Sequence, residues 1–325
     1  MGKMTGLQIF GEADARVVEV DIPQPVADQV LVRVTEVNTC PHWDMHIYRA
    51  RPMFAGAGPV PFPYTFGQPG HEMVGVVDTV GPDVKGLKPG DRVASWKDQG
   101  HDRWGCYAQY VIQDAFHLVK VPDHLEDRQV ASLELAMCIS TTILDLKAAK
   151  AIDGQVVGIS GLGSAGVIAG QMCKAEGAKE VVGFDFSAER MALAKEIGAA
   201  DRTIDPRSEE GKHFPKRREP GALDVSIDCV GGWPSMGYLM DHTNKIAAIF
   251  GVQREPYPYF HNTLKLFGYQ GHFRESAEYA MGLIAEGKVD MTPMVTHRLP
   301  FAEYDKAVKL LEAQEAIKVC CLPWK

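Results

Sequence analysis

Gln155-Val156-Val157-Gly158-Ile159-Ser160-Gly161-Leu162-Gly163-Ser164-Ala165-Gly166 is the stretch from which the fold is read. Val156 to Ser160 is a run of small and β-branched residues, the composition of a short buried strand. A glycine turn follows at once, and Val167 to Ala175 then reads as a helix with an apolar face. Glu180 to Phe184 reads as a second strand that ends on Asp185. Strand, glycine turn, helix, strand and acid, in that order, suit a dinucleotide. Gly161 permits the tight turn, Gly163 lets the backbone approach a pyrophosphate, and Gly166 allows close helix–strand packing. Leu162 and Ser164 complete the turn, and the helix N-terminus stabilises phosphate charge. Asp185 lies about 24 residues past Gly161, near the offset of about 20 at which an acid binds a ribose 2′-hydroxyl. A carboxylate there repels a 2′-phosphate, which favours NAD over NADP. Arg190, one helical turn on, weakens that preference slightly. The alternative is an ordinary strand–helix turn that uses glycine for its dihedrals, with Asp185 capping the next helix through Ser187.

Outward from this stretch, the C-terminal side continues the alternation of helix and strand. Ser187 to Gly198 reads as a serine-capped helix, and 223–231, 245–251 and 264–269 read as strands. Asp228, Val230 and the Gly231-Gly232 pair follow a strand end and are expected near the cofactor. The pattern predicts an α/β, doubly wound parallel sheet. The N-terminal side differs. Val17 to Val20, Gln29 to Val34, Met73 to Val80, Arg92 to Ala94 and Gly105 to Ile112 read as strands among many turns, which predicts a compact barrel-like β unit. Residues 51–69, rich in proline, glycine and aromatics, read as an ordered loop. Glu134 to Lys150 reads as a helix between the two regions.

A length of 325 residues suits two domains. The formal net charge of −8 disfavours nucleic acid and anionic membranes as partners. No apolar run reads as a membrane span, and Met1-Gly2-Lys3-Met4-Thr5 lacks the apolar core of a signal peptide. Seven scattered cysteines do not make a disulfide framework, and a reducing cytoplasm is expected.

Five motifs stand in order: Cys40-Pro41-His42-Trp43-Asp44-Met45-His46, Gly70-His71-Glu72, Pro89-Gly90-Asp91-Arg92-Val93, the glycine turn, and Lys318-Val319. Together they resemble the zinc-dependent medium-chain alcohol and polyol dehydrogenases over nearly the whole chain. The resemblance implies a Rossmann NAD domain over 139–272 and a GroES-like catalytic domain from 1–138 and 273–325. It implies one catalytic zinc held by Cys40, His71 and Glu134, with Glu72 binding directly or through water. Zinc would polarise a secondary hydroxyl on a polyol, sugar, amino sugar or cyclitol, and hydride would pass to NAD. Cys40, His46, His71 and Glu72 form the implied catalytic set, with His46 as proton relay. A homodimer or homotetramer is implied, with pairing expected at the strand edge near Lys265 to Tyr269.

The chain departs from the family pattern in three places. Cys40 to Asp44 is one residue longer than usual, so His42 remains an alternative ligand. Aligned on Asp44, Trp43 stands where a serine or threonine often relays the proton. The four-cysteine lobe is reduced to Cys106, so no structural zinc is expected. The long stretch between Cys40 and His71 carries Trp43, Tyr48, Phe54, Phe62, Tyr64 and Phe66, any of which could line a substrate pocket or merely pack. His101 and Asp102, in the shortened lobe, read as exposed, with a role at the pocket rim or in an intersubunit contact as the alternative. Two other readings stay open: a zinc-free quinone or enone reductase of the same fold, and a non-catalytic dinucleotide-binding relative.

Overall fold

The computed structural model describes residues 2–54 and 56–325. The chain forms two compact units, Met1–Leu135 with Met294–Lys325, and Ala136–Pro293. The sequence suggested boundaries after 138 and 272; the difference places the 274–285 helix in the second unit.

The first unit begins with an antiparallel hairpin of β1 (Lys3–Gly11) and β2 (Asp14–Asp21). There follow β3 (Gln29–Asn38), α1 (Pro41–Tyr48), β4 (Glu72–Val80), β5 (Arg92–Ser95), β6 (Tyr110–Asp114), β7 (Leu118–Lys120) and α2 (Asp127–Val130). The sequence did not single out α1 as a helix. Pro41 at its start has the φ a first turn needs, and the Asp44 carboxylate accepts the Cys40 backbone N–H at 2.7 Å. The strand expected from Gly105 begins only at Tyr110. Gly105 instead packs backbone to backbone on Gly67, where a Cβ would sit 2.3 Å from the Gly67 carbonyl oxygen.

The second unit takes in α3 (Leu133–Ala148) from Ala136 onward, then β8 (Val156–Ser160), α4 (Ser164–Ala175), β9 (Glu180–Phe184), α5 (Ala188–Glu196), β10 (Arg202–Ile204) and α6 (Glu209–Lys212). It continues with β11 (Leu223–Asp228), α7 (Trp233–His242), β12 (Thr243–Ile249), β13 (Lys265–Gly268) and α8 (Arg274–Ala285). Among the described residues its sheet is six-stranded and parallel, in the order β10-β9-β8-β11-β12-β13. This is the doubly wound Rossmann order, with the reversal between β8 and β11. The buried runs Val157-Gly158-Ile159 and Val181-Val182 explain why these strands tolerate cover on both faces. No apolar run was expected to be long enough to span a bilayer, yet Asp127–Ala148 is long and apolar enough by composition; 78% of that window is buried inside the fold, as in a core helix.

The chain returns to the first unit with β14 (Val295–Pro300), α9 (Tyr304–Glu312) and β15 (Lys318–Leu322). The main sheet there runs β14-β15-β3-β4-β5-β7, with β6 also paired to β3. Its core gathers Ile9, Val32, Val34, Ile47, Met73, Tyr107, Phe301 and Tyr304.

Candidate metal and cofactor sites

Cys40, His71 and Glu72 come together at the ends of β3 and β4. One donor atom from each lies within 4.8 Å of the others. His42 is not in this group. Cys40 is the N-cap of α1, and Asp44 holds its backbone. Asp44 is fully buried and also accepts from the Tyr107 and Tyr304 hydroxyls at 2.8 and 2.6 Å. Burial pushes its carboxyl up to about 6 against those hydrogen bonds. The His71 ring is fixed from behind, its Nδ1 donating to the Pro69 carbonyl at 2.8 Å. Nε2 then faces Glu134 Oε2 at 3.7 Å. Burial works against a charged imidazole here. The hydrogen bond with Cys40 and the Glu134 charge outweigh it, and His71 lies well above its ordinary value.

A field that favours a proton on His71 also favours a divalent cation in its place. Thiolate, imidazole and carboxylate are the donor types zinc accepts, so the residues present fit that metal. Glu72 is the member that fits least. Lys318 Nζ donates to its two oxygens at 2.5 and 2.6 Å and to the Thr39 carbonyl at 2.7 Å, with both side chains 0% exposed. His46 stands on α1 with Nδ1 donating to the His42 carbonyl at 2.8 Å. In the neutral ring that leaves Nε2 as acceptor.

Three residues of this site were not read from the sequence. Lys318 was noted only as a family mark, although a lysine inside the apolar strand Val319-Cys320-Cys321 asks for a buried partner. Tyr107 and Tyr304 gave no local signal at all. His101, read as exposed, is instead partly buried. Its ring stacks on Trp43 at 4.0 Å between centroids and its Nδ1 lies 2.9 Å from the Tyr64 hydroxyl. Asp102 is exposed, as read. Of the loop aromatics, Tyr48, Tyr64 and Phe66 are buried, and Phe54 is exposed.

In the second unit the glycine turn sits at the carboxyl end of β8. Gly161 has φ +85°, a conformation that favours glycine. A Cβ on Gly166 would lie 1.8 Å from the Gly161 carbonyl oxygen, so the helix packs directly on the turn. A Cβ on Gly163 would meet nothing within 4 Å, which leaves open space beside the N-terminus of α4. Leu162 N–H and Ser187 N–H donate to the two Asp185 oxygens at 2.7 and 2.9 Å. Asp185 therefore ties the turn to the start of α5, and each oxygen keeps a lone pair for a further donor. Val230 packs its Cγ2 against Gly161 and stays 44% exposed at the sheet reversal. Asp228 holds that loop through Gly231 N–H and the Ser235 hydroxyl. Arg190 begins α5 under the Ser187 cap, and Ser164 opens α4.

Two family models match the chain. The alcohol dehydrogenase GroES-like domain covers residues 26–123, and the zinc-binding dehydrogenase domain covers residues 165–267. This chain belongs to the zinc-binding medium-chain dehydrogenase family. As a member of that family it is an oxidoreductase of the alcohol dehydrogenase type. Among its relatives is the L-threonine 3-dehydrogenase of Photorhabdus laumondii, 26% identical over 335 residues, which span 92% of this chain and 94% of that protein. A zinc-binding dehydrogenase from Sinorhizobium meliloti, solved with NADP, superposes with a TM-score of 0.83 at 23% identity over 99% of this chain and 100% of its own. Galactitol-1-phosphate dehydrogenase from Escherichia coli superposes with a TM-score of 0.82 at 22% identity over 98% and 100%. At these identities the solved structures establish the medium-chain dehydrogenase fold.

Proposed function

We propose that this protein oxidises a secondary hydroxyl of a small polyol, sugar, amino sugar or cyclitol with NAD and one catalytic zinc, and that it has no structural zinc. The observation that carries the reading is the pair of groups met by the fixed His71 ring, with Cys40 hydrogen-bonded to it and Glu134 Oε2 standing 3.7 Å from its Nε2. Cys40, His71 and Glu134 bind the metal. Glu72, neutralised by Lys318, shapes the field behind it rather than serving as the primary ligand. Zinc held here would supply Lewis acidity toward the substrate hydroxyl, and NAD would supply the hydride acceptor. The chain's own part is to orient and to move the proton. The Pro69 carbonyl keeps His71 in one tautomer. His46 takes the proton toward solvent at Nε2, since Trp43 carries no hydroxyl for the task. The turn Gly161-Leu162-Gly163-Ser164 and Gly166 receive the pyrophosphate at the α4 N-terminus. Asp185 accepts from the adenosine ribose, while Val230 and Arg190 border the nucleotide.

The Sinorhizobium structure holds NADP, so the choice of cofactor needs its own test. Titration with NADH and NADPH should give tighter binding of NADH, and Asp185→Ser should narrow the gap. Tighter NADPH binding by the unaltered protein would reverse the role given to Asp185. The L-threonine relative acts on an amino alcohol, which keeps amine-bearing substrates in the class. A panel of polyols, sugars and amino sugars assayed for NADH production tests the substrate class, and no turnover with any of them would remove it. A homodimer or homotetramer is proposed, with β13 as the pairing edge. Among the described residues that strand bonds only to β12 and is largely exposed.

A further inference from the structure

The loop joining β5 to β6 stands where the four-cysteine lobe would be expected, and hydrogen bonds hold it in place of a metal. Gln68 Nε2 donates to the Gly100 and Arg103 carbonyls at 3.0 and 2.9 Å. Arg103 clamps Asp114 through two bonds of 2.7 and 2.9 Å, and Gln99 Nε2 reaches the Ile112 carbonyl at 2.8 Å. This frame presents His101 to the ring of Trp43, the two planes 30° apart. Trp43 lies three residues past Cys40, one turn along the same side of α1. Asp98 of the loop and His71 line one partly open pocket. The shortened lobe thus forms a wall of the metal site within its own unit.

The polar face of that wall has a defined donor and acceptor. Burial pushes Tyr64 up to about 12, so the phenol keeps its proton. Burial also lowers His101, so its ring is neutral. With the phenol as donor to Nδ1, 2.9 Å away, the ring proton stands on Nε2, the tautomer that the nearby Asp98 carboxylate favours. Nε2 is 3.6 Å from Asp98 Oδ2, too far for a direct hydrogen bond. Asp98 Oδ1 is taken by the Gly100 N–H at 2.8 Å. An N–H donor and a carboxylate acceptor therefore stand side by side, with 28% and 20% of their side chains exposed. A hydroxyl fills both roles, because it accepts one hydrogen bond and donates another. An ammonium only donates, and a carboxylate only accepts.

We infer that His101 and Asp98 together bind a second hydroxyl of a polyhydroxylated substrate and set a preference for polyols over monohydric alcohols. The inference rests on the dehydrogenase reading above and names the substrate side of the same site. Its test compares matched pairs, glycerol with isopropanol and myo-inositol with cyclohexanol, in the zinc-loaded protein with NAD. The ratio of kcat/KM, polyol over monohydric, should fall about tenfold in His101→Phe, which keeps the stacking and loses the N–H. Asp98→Asn should lower it by a similar factor, and His101→Gln should restore part. The loss should appear in the KM for the polyol more than in kcat, and that KM carries the result where a monohydric rate is too low to measure. A ratio and a polyol KM unchanged in both variants, with the unaltered protein active, would overturn the inference alone. A uniform drop for both alcohols would overturn it too, as a structural effect of the loop. No turnover of any of the four alcohols by the unaltered protein would overturn the dehydrogenase reading and this inference with it.

Discussion

Lys318 and Glu72 face each other with no exposed surface, and their pairing fixes what each can do. The ammonium is worth having there only while the carboxylate is charged, since an unpaired buried charge is the costlier state. Lys318→Met should destabilise the protein by about 3–5 kcal/mol, measured by urea unfolding. Adding Glu72→Gln should recover part of that loss, because the orphaned charge is removed. A single variant as stable as the parent would contradict the pairing. The cysteine, histidine and carboxylates that gather here were legible because few residue types bind metal and the motifs space them. Lys318 was not, because 246 residues separate it from Glu72 and only the folded sheet brings β15 beside β3.

Two turns at the ends of strands carry separable roles at the scale of elements. Gly166 has no room for a Cβ, so Gly166→Ala should cost about 1–3 kcal/mol by overpacking and lower the melting temperature. Gly163 has room and an ordinary extended backbone, with φ −72° and ψ −167°. Gly163→Val should keep the melting temperature and weaken NADH binding at least tenfold by calorimetry. Retained affinity in Gly163→Val would remove the pyrophosphate from this turn. In the lobe-derived loop, the hydrogen bond from Arg103 holds Asp114 below its ordinary carboxylate value. For a depressed acid the stabilisation is complete above the unfolded pKa of about 3.9 and is lost as pH falls through the lower folded value. Hydrogen exchange of residues 97–105 should therefore be protected near neutrality and loosen only in strong acid, and Arg103→Met should loosen it at neutral pH. Equal protection in Arg103→Met would show that the clamp is idle. The buried Val and Ile runs made the cofactor strands easy to read. The loop was hidden because long-range hydrogen bonds and the close Gly105–Gly67 contact build it, and α1 because its eight residues carry mixed polar and apolar side chains without a clear apolar stripe.

For the whole molecule, the sequence implied two folds in one chain, and the strand order β10-β9-β8-β11-β12-β13 bears out the Rossmann expectation. The open edge of that sheet at β13 makes a solution prediction. Leu266→Pro, which cannot donate from the edge and is 37% exposed in the parent, should shift an oligomer toward monomer in light scattering. An unchanged mass would place the pairing surface elsewhere. The central claim, metal-assisted hydride transfer by the Cys40, His71 and Glu134 set, is tested most directly by metal analysis beside activity in one preparation. The account predicts about one zinc per chain, with both zinc and NADH production lost in His71→Ala. A protein that oxidises or reduces its substrate at full rate without metal would contradict it and point to the zinc-free reductase.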